Sequence, residues 1–328
     1  MSEGAPRHVL LSGVRTRTHV VHASSYLRHL LDLDQSPVEV RVLPTGSLLA
    51  EGPLTTDAVR ALLPEDARLT TLPGTADDVP RAPATTTLLC IGAPAVRAWS
   101  SFTAAHRGRR PRVVVVDEGL GSYGTWRTRR SAYRREGGGE LSSMVRAAAV
   151  ATGARLLPDE RWSLHHEGPG GWVVDERVAA EFRLRLVGPP APPDQVVYLA
   201  QPWTALGVLS PAAYRAHLES LRRVTADAGL ALVVKPHPWQ GPEVHRGLEL
   251  LVGGPAELER PVVGSALVVG VTSTALLNLA AVHGTPVARL RLPELDGLDR
   301  ALSRRQRSLL DAHLPAGVPA DRLELPRR

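Results

Sequence analysis

The sequence predicts an α/β protein made of two doubly wound, Rossmann-like domains facing a cleft. Three observations carry this. Short apolar runs of strand length alternate with amphipathic stretches of helix length, the pattern of parallel sheets covered by helices on both faces. A cluster, Gly188-Pro189-Pro190-Ala191-Pro192-Pro193, interrupts the alternation, because clustered proline continues neither a helix nor a sheet ladder. A chain of 328 residues, 43% of them hydrophobic, is also long enough to bury two cores.

In chain order, the first-half strands are expected at 8–12, 38–43, 86–92 and 112–116, with helices near 20–31, 56–63, 93–106 and 141–152. This assigns 1–188 to an N-terminal domain, 189–194 to the linker and 195–328 to a C-terminal domain. The second half repeats the pattern, with strands at 195–200, 231–235, 267–271 and 286–292 and helices near 211–228 and 274–283. The stretch Arg135-Glu136-Gly137-Gly138-Gly139-Glu140 is too rich in glycine for regular structure and reads as a linker or a lid.

Composition narrows the function classes. Cys90 is the only cysteine, so no intrachain disulfide and no cysteine-built metal cage is expected. No apolar run has the length of a membrane span, and the N-terminus lacks the apolar core of a signal peptide, so a cytoplasmic location is expected. A net charge of +6 fits polyanionic partners, among them anionic glycans and the surface of an acidic membrane, where the protein would sit peripherally. Aromatic residues are only 4% of the chain, too few for the stacking platforms of nucleic-acid binders, and no specific nucleic-acid partner is expected. The arginines at Arg127, Arg129, Arg130, Arg134 and Arg135 read as a solvated or loosely ordered face, or as a surface for an acidic partner.

Ligands of doubly wound folds bind beyond the carboxyl ends of the strands, and three such ends carry chemistry. Val113-Val114-Val115-Val116 delivers Asp117 and Glu118. A carboxylate shielded from water beside another has a raised pKa, which suits it to accept a proton. The pair also fits a cap or an arginine partner. Gly119 to Gly124 matches the spacing of a dinucleotide fingerprint, but two negative charges ahead of it would repel a pyrophosphate. The second end is Lys235-Pro236-His237-Pro238, which holds the only lysine of the chain. A compact ammonium and an imidazole there suit one phosphate, with a protonated His237 stabilising the leaving group. The third is Thr272-Ser273-Thr274 ahead of an apolar helix, where hydroxyls and free amides serve as a cap, an anion site or both.

The ordered set Asp117-Glu118-Gly119, His237-Pro238 and Ser273-Thr274 resembles the motifs of bacterial sialyltransferases and polysialyltransferases of the GT-B type, and the run through Tyr123 is similar to the polysialyltransferase-related group. That resemblance implies an inverting glycosyltransferase with a CMP-activated sugar as co-substrate and no other cofactor. Sialic acid or a related nonulosonic acid would pass to a glycan or other hydroxyl acceptor, anionic acceptors included. Asp117 is then the general base, with Glu118 as second candidate, in an acceptor domain where Gly119 and Tyr123 support the turn. His237 contacts the CMP phosphate and is the candidate general acid. Lys235, Pro238, Thr272, Ser273 and Thr274 complete the phosphate site. No metal enters that scheme, and Asp32-Leu33-Asp34, which superficially fits a metal-binding D-x-D, reads as surface charge. Two alternatives stay open: a teichoic-acid or capsule-type transferase, such as a glycerophosphotransferase using another activated donor, and a non-enzymatic polyanion binder.

Overall fold

The computed structural model describes residues 6–44, 54–75, 78, 86–135 and 137–326. The chain divides into two compact units, Met1–Gly168 with Val173–Glu181 and Pro169–Trp172 with Phe182–Arg328. The change of unit thus falls ahead of the proline cluster.

In the first unit the elements run β1 (Arg7–Ser12), α1 (Arg17–Leu33), β2 (Val38–Val42), α2 (Thr56–Arg60), β3 (Leu69–Pro73), β4 (Thr86–Ile91), α3 (Val96–Ala105) and β5 (Arg112–Val116). They continue with α4 (Trp126–Arg135), α5 (Glu140–Leu156), β6 (Glu160–Trp162), a hairpin of β7 (His165–Gly168) and β8 (Gly171–Val174), and α6 (Glu176–Leu184), which reaches into the second unit. Six strands form a sheet of order β3-β2-β1-β4-β5-β6, with every pairing parallel. Val113 to Val116 are all buried, as expected of a strand covered on both faces. β1 lies between β2 and β4, so the direction of winding reverses at the β1/β4 boundary.

Several elements fall outside the sequence expectation, β3 and α4 among them. β3 is too short and too polar to stand out, and it is a strand because β2 offers it a parallel edge, Val38 opposite Leu69. The arginine-rich stretch, read as a solvated or loosely ordered face or a surface for an acidic partner, forms the helix α4. Arginine, alanine and tryptophan tolerate the helix well; Arg130 and Arg134 pair with Glu140, and the Arg146 guanidinium lies 4.1 Å from the Tyr133 ring. The glycines that follow end that helix. Gly137 has φ 90°, and the Gly138 amide donates to the Tyr133 carbonyl at 2.9 Å.

The second unit runs β9 (Gln195–Leu199), α7 (Pro211–Asp227), β10 (Ala231–Lys235), β11 (Glu249–Leu250), α8 (Arg260–Val263), β12 (Leu267–Gly270), α9 (Thr274–His283), β13 (Val287–Arg289), α10 (Asp296–Ala301) and α11 (Arg304–His313). Its sheet has the order β11-β10-β9-β12-β13, again parallel throughout. The winding reverses here at the β9/β12 boundary. α7 starts at Ser210, whose hydroxyl accepts the Ala213 amide, with Pro211 in the first turn. It packs Tyr214, Leu218 and Leu221 into one core with Val196, Tyr198, Val234 and Val269 of the strands. No helix among the described residues is long and apolar enough to cross a membrane.

Candidate functional site

In the first unit, Asp117 leaves β5 and turns inward. It is 5% exposed; the Tyr123 hydroxyl donates to its Oδ2, and the Leu164 amide donates to the same oxygen at 2.8 Å. Burial pushes its pKa up to about 6, and these donors only partly offset the push. The expected rise is present, but the inward orientation opposes the expected use: in this conformation Asp117 locks the turn that ends β5 onto the segment after β6. Gly119 makes the turn possible with φ 115°, and residues 120–123 follow as a single 3-10 turn. The look-alike dinucleotide fingerprint therefore opens no long helix. Glu118 is the carboxylate that faces outward, its side chain 38% exposed and one oxygen 4.0 Å from the Arg15 guanidinium. It lies against Gly92, where a Cβ would come 2.3 Å from Glu118 Oε2. Arg15 and Gly92 follow β1 and β4, so Glu118 sits over the winding reversal of this sheet. Neither had been singled out in the sequence; the loops after the first and fourth strands were the signal that could have found them.

Asp32 and Asp34 end α1, and Asp34 pairs with Arg7, which fits the surface-charge reading.

In the second unit three neighbouring strand ends converge. Strands lie about 4.8 Å apart, and β10, β9 and β12 are consecutive in the sheet. From β10, the Lys235 ammonium expected to face a phosphate is instead paired with Glu259 at 2.6 Å, both side chains 8% exposed. His237 stands two residues on and is partly buried, which pushes its pKa down to about 4. The ring is therefore neutral at neutral pH, which corrects the expected protonated imidazole. Its Nδ1 accepts the Trp239 amide at 3.1 Å, so the single ring proton resides on Nε2. His237 is a fixed neutral donor. From β9, Gln201 donates from Nε2 to the Thr272 carbonyl at 2.8 Å, while its Oε1 is buried with no partner among the described residues. Gln201 bridges the loops at the winding reversal; its place past the first strand of the second sheet was the only hint the sequence offered.

From β12, the three hydroxyl residues divide their work. Thr272 donates to Asp299 at 2.9 Å and accepts from Arg289 at 3.0 Å, so its one proton is committed to Asp299. Ser273 caps α9 by accepting the Leu276 amide at 3.0 Å, which leaves its own proton to donate. Thr274 begins the helix, whose first turn holds no acidic residue. Amides with no carbonyl inside the helix, together with the positive helix end, make this a place for an anion. Pro238 holds the turn that carries His237.

No protein-family model matches the chain, and no curated protein does. Solved structures do. A UDP-N-acetylglucosamine 2-epimerase has a TM-score of 0.55 at 11% identity, over 98% of this chain and 85% of that one. A UDP-GlcNAc 2-epimerase from Neisseria meningitidis bound to UDP-GlcNAc gives 0.47 at 11%, over 94% and 90%. Arabidopsis thaliana UGT89C1 complexed with UDP-L-rhamnose gives 0.46 at 13%, over 96% and 86%. The first of these likenesses bears on the fold alone: α/β, with two Rossmann-like units of the GT-B type.

Proposed function

We propose that this chain is an inverting glycosyltransferase that moves a sialic or related nonulosonic acid from a CMP-activated donor to a glycan hydroxyl. The observation that carries the reading is the convergence of His237, Gln201 and the Ser273-capped start of α9 on three adjacent strand ends of one sheet. In this proposal the phosphate is held by His237 Nε2–H, the Ser273 hydroxyl and the first amides of α9, while Lys235 fixes the strand end through Glu259. The bond from the anomeric carbon to the phosphate oxygen breaks, the acceptor oxygen bonds to that carbon, and the acceptor proton passes to a carboxylate. Glu118 is the base, because it is the member of the acidic pair that reaches solvent, and Asp117 holds its turn. The negative charge on the departing phosphate meets neutral donors and a helix end, so the scheme places no divalent cation between phosphate oxygens.

Calorimetry of the full chain against CMP, UDP and ADP tests the donor, and a transfer assay tests the rest. CMP should bind more tightly than the diphosphates, and His237→Ala should weaken it about tenfold. Glu118→Gln should slow transfer by about 10²-fold or more at unchanged nucleotide affinity, and chelator should leave the rate unchanged. Tight UDP binding with a chelator-sensitive rate would replace the CMP donor with a nucleoside diphosphate sugar.

A further inference from the structure

α5 is amphipathic in the wrong sense for a helix that serves only its own core. The residues it buries are Ser143, Ala147 and Gly153, small or polar. On the opposite side, at the spacing of successive turns, stand Leu141, Val145 and Leu156, exposed by 69, 58 and 73%. From the first to the last of these is a run of about 23 Å of helix. Ala148, Ala149 and Thr152 fill the stripe between them, and all three are exposed. No acidic residue follows Glu140 on the helix, and Arg146 and Arg155 lie to either side of the stripe. The partner helix α4 adds Arg127, which is exposed, Arg134, whose side chain is 54% exposed, and Trp126 at 40% exposure. From Trp126 to Leu156 the sequence has seven arginines and two glutamates.

Exposed leucine and valine along a whole helix face are costly in water and useful only against an apolar surface. The arginines select which one. A second copy of the chain would set one arginine cluster against another. An anionic glycan would meet the arginines but has no use for the leucines. A bilayer carrying anionic headgroups satisfies both, because apolar side chains enter the headgroup boundary while guanidinium groups meet lipid phosphates, the two signals that stable surface binding needs. We propose that the α4–α5 hairpin docks this protein on an anionic membrane surface. The inference stands apart from the transfer reaction proposed above.

Sedimentation of the full chain with phosphatidylcholine vesicles, with and without roughly a third phosphatidylglycerol, tests it. The protein should pellet with the anionic vesicles and stay in solution with the neutral ones. The triple variant Leu141→Ser/Val145→Ser/Leu156→Ser should lose about tenfold or more in affinity, and Arg127→Gln/Arg134→Gln should lose affinity and salt sensitivity together. All five positions lie at the surface, so an unchanged thermal transition confirms that each variant is folded. Three results would overturn the proposal. One is the absence of anionic-vesicle binding. Another is binding to soluble dextran sulfate that matches vesicle binding and ignores the triple variant, which would mark a polyanion surface. The last is a concentration-dependent dimer, in gel filtration with light scattering, that the triple variant abolishes.

Discussion

Asp117 in the first sheet and Lys235 in the second are both buried charges at the carboxyl end of a strand, and the fold treats them in opposite ways. Lys235 meets a carboxylate, Glu259, at 2.6 Å. Asp117 meets only neutral donors, the hydroxyls of Tyr123 and Ser163 and backbone amides, and has no ion pair among the described residues. Neutral donors stabilise a carboxylate without cancelling its charge, so burial dominates and the pKa rises to about 6. A charge matched by its opposite is structural ballast; a charge left with dipoles retains a proton equilibrium near neutrality. The difference shows why the kind of residue at a strand end does not settle its role.

The sharpest way to break this contrast is to remove one member of the buried pair. Lys235→Met or Glu259→Leu alone should cost about 3–5 kcal/mol, because each leaves an uncompensated buried charge, whereas the double variant should recover most of that loss. Denaturant unfolding of the three proteins measures it. Single variants within about 1 kcal/mol of wild type would mean that water reaches the pair and that the two strand ends are alike after all.

Asp117 should betray its lone charge through pH. Its folded pKa of about 6 lies above the ordinary 3.8 of an aspartate, so the folded state holds the proton more tightly. The stabilisation is fully present below pH 4 and is lost as pH rises through 6, amounting to about 3 kcal/mol. The buried histidines work the other way: His19, lowered to about 4, and His22, lowered to about 3, mainly by burial, contribute stability above pH 6.5 that is lost as pH falls. Asp117→Asn isolates the carboxylate. The stability of wild type relative to this variant should fall between pH 4 and 6, and a flat difference would show that Asp117 is hydrated.

The smallest expected effect concerns Gly92. Its φ of 72° disfavours a side chain, and a Cβ would meet Glu118 Cβ at 2.7 Å. Gly92→Ala should cost about 1–2 kcal/mol and displace Glu118, lowering transfer more than stability. Chemical denaturation beside a transfer assay separates the two. Equal losses in both would reduce Glu118 to a packing residue.

Much of the fold was legible because a buried parallel strand must be continuously apolar. The valines of β5 and the runs of β9, β10 and β12 announce themselves, as do Ser273 as a cap and the helix after it. Partnership was not legible. Glu259, which decides what Lys235 does, lies 24 residues downstream at the start of α8, with no pattern to single it out. The inward turn of Asp117 depends on Leu164, 47 residues away. Gln201 has no distinctive neighbours, and only the strand order of the second sheet places it against Thr272. Hydrophobic pattern reports which segments are covered, while the identity of a buried charge's partner is a property of the tertiary fold.

Cys90 lies in β4, with β1 on one side and β5 on the other. Its thiol is fully buried, the Ala95 amide donates to its Sγ at 3.3 Å, and burial pushes its pKa up to about 12. Such a thiol is inert to alkylating reagents while the sheet is closed, since the thiolate is the reactive form. It is also the only sulfhydryl of the chain, and it belongs to the first unit. The rate at which a thiol reagent labels the native protein therefore reports how often the first sheet opens, whatever the second is doing.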